Sequence, residues 1–115
     1  MIQLNKLLSF LNLGQNKLDK DKAELMLVGS SDDKVFLANN GMVIRSLYEL
    51  RDAFMTMSDN TFTHHANEDR NDFSLWIRDV HCDSDLANDI LKAKDRNQAF
   101  NIINKRLTYL ERIIR

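Results

Sequence analysis

The stretch Lys34-Val-Phe-Leu-Ala-Asn-Asn-Gly-Met-Val-Ile-Arg-Ser-Leu-Tyr-Glu-Leu50 contains the one change of period in an otherwise helical chain. Its two flanks, Lys34 to Ala38 and Met42 to Arg45, are rich in Val, Ile and Phe. Between them Asn39-Asn40-Gly41 tolerates the positive φ angles of a tight turn, so the segment predicts a small β-hairpin. Two strands alone are marginal in water, and the hairpin must therefore pack on something else. A capping box comes directly after it. The Ser46 side chain can accept from the amide of Glu49 while the glutamate reaches back, opening a helix to about Met57. Leu47, Leu50, Phe54 and Met57 fall on one face of that helix.

Toward the C-terminus the helical period continues, interrupted by polar caps. Ser58 or Asp59 starts a short helix to about Ala66, and Asn67 to Arg70 reads as a connection. Asn71 or Asp72 starts another, whose Phe73, Trp76, Ile77 and Val80 form a complete apolar stripe. Asp83 caps a short helix carrying Leu86, Ile90 and Leu91. Asp95 with Gln98 repeats the capping box and opens the longest helix, with Ala99, Ile103, Leu107, Leu110 and Ile114 inward. Toward the N-terminus, residues 29–33 are a loop. A weaker helix from about Lys17 to Val28 places Leu18, Leu25 and Val28 on one face. Residues 2–13 carry Leu4, Leu7, Leu8 and Leu11 at i, i+3, i+4 and i+7, ending at Gly14. The expected fold is mainly α, with five or six short helices around one core and a small β-hairpin near residues 34–45. Residues 1–33 form an N-terminal helical extension and residues 34–115 the helical domain.

Composition agrees with this class. The 115 residues include no proline, where average usage is about 5%, so nothing interrupts the helices. A charged content of 29% against 43% hydrophobic residues is that of a globular domain rather than a disordered chain. Cys82 is the only cysteine, so no intramolecular disulfide can form, and a reducing compartment is the simpler expectation. With apolar runs far short of the roughly twenty residues of a membrane span and no signal-peptide core, the expected location is cytoplasmic. The net charge of -1 conceals a segregation. Nine acids against Arg70 and Arg78 give residues 52–89 a charge of -7, and seven bases against Asp95 and Glu111 give residues 90–115 a charge of +5. Mutual neutralisation by packing is the plainer expectation, and two opposed docking faces the sharper one.

From Phe36 to Ala87 a pattern of residues stands out. Phe36-Leu-Ala-Asn-Asn-Gly-Met-Val-Ile-Arg-Ser-Leu-Tyr-Glu-Leu50 leads into Thr61-Phe-Thr-His-His65, then Asn71-Asp-Phe-Ser-Leu-Trp-Ile77, Val80 and Asp85-Leu-Ala87. This pattern resembles a family of small helical domains of unknown function found in archaea and some bacteria, both alone and attached to unrelated proteins. The resemblance spans a little under half of the chain and leaves out the first 33 residues. It implies a helical fold and no activity.

Chemistry-bearing residues are few. His65 lies one turn beyond Phe62 on the apolar side, and Asn71 and Asp72 at the next helix start could hydrogen-bond its imidazole. With His64 and Trp76 these residues are the candidate ligand-binding set. Either His65 is a satisfied buried histidine locking two helices together, the commoner outcome, or it is a ligand or proton-transfer group. The donors His64-His65 and His81-Cys82 are adjacent pairs about 100° apart on a helix, unlike zinc-ligand spacing, so no metal site and no cofactor are assigned. Cys82 lacks a glycine-rich oxyanion turn, and Asp79, Asp83 and Asp85 would raise its thiol pKa, so no catalytic residue is assigned. Trp76 sits among acids, which disfavours nucleic-acid stacking. There remain amphipathic faces that could dock on a protein partner or a second copy: Leu4, Leu8 and Leu11 at one end, Ile103, Leu107, Leu110 and Ile114 at the other. The expected role is a non-catalytic protein-interaction module, with a small-ligand or metal-binding domain centred on His65, Asn71 and Asp72 as the alternative.

Overall fold

A computed structural model describes residues 18–115. The helix expected over residues 2–13, with Leu4, Leu8 and Leu11, lies outside the described residues. Among the described residues six helices run in order: α1 (Lys20–Leu27), α2 (Leu47–Thr56), α3 (Asp59–His65), α4 (Asp72–Val80), α5 (Ser84–Ile90) and α6 (Arg96–Ile114). Between α1 and α2 lie a 3-10 turn, Asp32–Lys34, and the strands β1 (Phe36–Leu37) and β2 (Val43–Ile44). The chain is thus mainly helical with one small antiparallel hairpin.

The caps explain where each helix begins. Asp19, Ser46, Ser58, Asn71, Asp83 and Asp95 each accept the amide three residues on, satisfying a donor the helix leaves orphaned. At α2 the box closes from both sides, for Glu49 also accepts the Arg45 amide at 2.8 Å. At α6 Gln98 accepts the Lys94 amide at 2.9 Å in the same way. In the hairpin, Phe36 pairs with Ile44 and Leu37 with Val43. The first pair is buried and the second exposed, as a period of two requires. The Ala38 amide donates to the Met42 carbonyl at 3.0 Å, which leaves the three residues Asn39 to Gly41 for the turn. The Gly41 amide donates back to the Ala38 carbonyl, and within this turn only Gly41, at φ +92°, takes a positive φ.

Phe73 on α4 is the centre of the core. It stacks with Phe36 of β1 (ring centroids 5.1 Å apart) and Phe62 of α3 (5.7 Å), and meets Phe54 of α2 edge-on at 5.1 Å. Leu47, Leu50 and Phe54 of α2 and Ile103 and Leu107 of α6 complete the same cluster. A smaller cluster of Ala23, Met26 and Leu110 joins α1 to α6. Here the expected face of α1 is corrected. Leu25 is 72% exposed and Val28 59%, while Ala23 and Met26 are the buried pair. Small Ala23 lets the helix axes approach, and Met26 one turn on fills the remaining gap. Leu91 lies just past the last turn of α5 and is likewise exposed.

The acidic and basic segments do pack together. Arg96 reaches Asp59 at 2.8 Å, and Arg106 grips Asp83 with two bonds of 2.8 Å. Asp83 is fully buried and also caps α5, so one carboxylate fixes α5 both to its own first turn and to α6.

Candidate functional site

His65 sits at the end of α3, where three elements meet. Its Nδ1 lies 2.9 Å from Asp72 Oδ2 at the start of α4, and its Nε2 accepts the backbone amide of Asn39 in the hairpin turn at 3.0 Å. Because Nε2 is an acceptor, the proton of the neutral ring is on Nδ1 and is donated to the carboxylate. Arg70 supports Asp72 from outside at 3.3 Å and donates to the His64 carbonyl at 2.9 Å. Asn71 Oδ1 caps α4 through the Ser74 amide, and Trp76 Nε1 donates to the Lys34 carbonyl at 2.8 Å. The structure therefore brings Asp72 onto the His65 imidazole, whereas the Asn71 side chain is turned to the α4 cap and the other ring nitrogen goes to Asn39, with His64 on the exposed rim. Both ring nitrogens of His65 are occupied, so a ligand would have to displace the hairpin turn or the Asp72 carboxylate. This is the geometry of a structural clamp. Among the described residues no group of three or more His, Cys, Asp or Glu is placed to hold a metal ion.

The C-terminal seam is corrected. Ile103, Leu107 and Leu110 are at most 1% exposed and Ile114 is partly buried, all packed on their own chain. A helix lying across both α1 and α2 turns Ile103, Leu107 and Leu110 inward, and only Ile114 at its end keeps part of its surface.

Among the described residues an open surface lies elsewhere. A groove of about 500 Å³ runs between α1 and the corner joining α4 to α5. Leu18, Leu25 and Met26 form one wall, and Val80, Cys82 and Arg106 line the other side. The corner is made by Cys82, which takes φ +56° where a glycine usually ends a helix, and its thiol is exposed. Beneath it His81 is 3% exposed. The His81 Nδ1 meets the Met26 carbonyl at 3.1 Å, and Nε2 has no hydrogen-bond partner among the described residues. Burial is the main cause that holds this imidazole below its ordinary value of 6.5; the Met26 bond and the Asp83 charge pull the other way. His81 is thus a neutral strut joining α1 to the α4–α5 corner.

No family model, no curated protein and no solved structure matches the chain. No helix among the described residues is long and apolar enough to cross a membrane.

Neither the groove nor His81 stood out from the sequence as a site. A signal for the groove existed in α1, where apolar residues occur on both sides of the helix: Ala23 and Met26 on one, Leu25 and Val28 on the other. A helix so short can bury only one of these faces, and the other is left for something else to cover.

Proposed function

We propose that this chain is a non-catalytic, cytoplasmic protein-interaction module that accepts an amphipathic helix in the groove between α1 and the α4–α5 corner. We also place it with the small helical domains of unknown function that its Phe36–Ala87 pattern resembles. The observation that carries the docking reading is the groove itself, walled by Leu25 at 72% exposure beside Met26 and Val80. Leucine-faced helices bind such apolar channels through anchors at i, i+3, i+4 and i+7. The polar groups of the described residues support a non-catalytic role by what they already hold: His65, Asp72, Asp83 and Arg106 are bound within clamps and caps. The family placement draws support from the way residues of the pattern converge, since Phe36, Phe62, His65, Phe73 and Trp76 form one connected ring cluster.

The test is fluorescence anisotropy of a labelled peptide with the sequence of residues 1–14, a leucine-faced helix by its spacing. It is titrated with the full chain and, as a guard against competition by the chain's own leucines, with the full chain carrying Leu4→Ser and Leu8→Ser. Saturable binding by either chain, abolished when Leu25→Glu is added, is the expected result. No saturable binding by either, or binding indifferent to Leu25→Glu, overturns the reading.

A further inference from the structure

We propose that the outward face of α6 receives an acidic amphipathic helix of a protein partner, with carboxylates on Lys105 and Arg112 and an apolar anchor beside Tyr109. This is a second surface and does not depend on the groove beside α1. With Ala99, Ile103, Leu107 and Leu110 turned inward, Ile102, Lys105, Tyr109 and Arg112 form one stripe of α6, at i, i+3, i+7 and i+10. The stripe is about 15 Å long. Lys105 and Arg112 are exposed, and Tyr109 keeps 47% of its surface. Between the stripe and the end of α5 lies a hollow of about 450 Å³, with Ile102 and Tyr109 as its apolar lining and Asp89 and Lys92 across from them. The Arg106 guanidinium, held by Asp83, lies 5.3 Å from the Tyr109 ring centroid and backs that ring.

Charge decides the partner. Arg106 is committed to Asp83, Lys92 lies 3.3 Å from Asp89, and Glu111 bonds the Tyr48 hydroxyl on another side of α6. Lys105 and Arg112 are in no ion pair among the described residues, and residues 1–17 contain no Asp or Glu to supply one. Two like charges, two turns and about 10.5 Å apart, are thus left uncompensated. A facing helix meets both with carboxylates at i and i+7, and its apolar residues at i+3 and i+4 then fall beside Tyr109. A second copy offering the same face would set Lys105 and Arg112 against themselves. A nucleic-acid strand asks for a longer row of cations and open ring faces, whereas Arg106 backs one face of Tyr109 and residues 52–89 carry -7.

The probe is a fluorescein-labelled peptide of two Glu-Ala-Ala-Leu-Leu-Ala-Ala repeats closed by Glu, followed by anisotropy in low-salt buffer. It is titrated with the full chain carrying Leu25→Glu, so that the groove beside α1 contributes nothing and the two readings stand or fall separately. The expected result is saturable binding, about tenfold weaker for the peptide with Lys in place of every Glu. Adding Lys105→Glu and Arg112→Glu, both at exposed positions, is expected to reverse the preference: the Glu peptide weakens about tenfold and the Lys peptide gains. That gain is a readout an unfolded chain would not give. Tyr109→Ser is expected to weaken the Glu peptide as well. No saturable binding of the Glu peptide, equal affinity for the two peptides, or a preference that the charge reversal leaves in place overturns the proposal. Tighter binding of a single-stranded thymidine oligonucleotide overturns it too, because the face then reads phosphates.

Discussion

Two histidines of this chain do similar work by different means. His65 is satisfied at both nitrogens, and it joins the hairpin turn to the end of one helix and the start of the next. His81 is satisfied at one nitrogen only among the described residues and is held neutral by burial. The consequence is a pH dependence with a definite sign. In the unfolded chain His81 takes up a proton near 6.5; in the folded protein it does so only at lower pH. Between the two values the unfolded state binds more protons, so this residue's contribution is complete above 6.5 and is lost as pH falls through that range. The slope is at most about 1.4 kcal/mol per pH unit. Urea midpoints of wild type and His81→Gln, measured from about pH 7.5 to 5, are expected to show the wild type losing ground as pH falls. A difference that stays constant with pH would contradict this.

Among the helices, α5 is the most dependent on one contact. It has seven residues, too few to be stable alone, and its first turn is organised by Asp83. That carboxylate accepts the Leu86 amide and both Arg106 bonds while fully buried. Removing the arginine leaves a buried charge without its counter-ion. Arg106→Leu is expected to lower unfolding free energy by about 3–5 kcal/mol, with Arg106→Lys between it and wild type because the fork geometry is lost while the charge is kept. Chemical denaturation measures both. A loss below about 1 kcal/mol for Arg106→Leu would mean that the pair behaves as a surface bridge.

Taken together, the elements are arranged around α6, on which α1, α2 and α5 all pack. The seam Ile103, Leu107 and Leu110 is what makes this possible, and it separates core from surface in a testable way. The same substitution is expected to have very different consequences at two leucines. Leu107→Thr, at 1% exposure, should cost about 3 kcal/mol or more through the cavity and the buried hydroxyl. Leu37→Thr, at 68% exposure on the outer face of the hairpin, should change stability by about 0.5 kcal/mol or less. Thermal melts followed by circular dichroism distinguish them. If Leu107→Thr instead dissociated an oligomer without shifting the melt, α6 would be an interface after all.

Much of this was legible in the residues. Ser46, Asn71, Asp83 and Asp95 marked helix starts because an N-cap is a local hydrogen bond that needs only its own backbone. The stripe Phe73, Trp76, Ile77 and the turn at Gly41 were legible for the same reason: periodicity and φ preference act within a few residues. The neighbourhood of His65 was readable too, since Asp72 is only seven residues away across a short connection. The features beyond reach depend on contacts between distant segments. Which face of α1 turns inward is set by α6, far along the chain, and not by the apolar residues of α1, which occur on both sides. The burial of the α6 seam, the His81 bond to Met26 across 55 residues and the groove between α1 and the α4–α5 corner have the same origin. Local propensity and patterning arise from the order of residues alone, whereas a choice between two comparable apolar faces is made by the packing energy of the assembled chain.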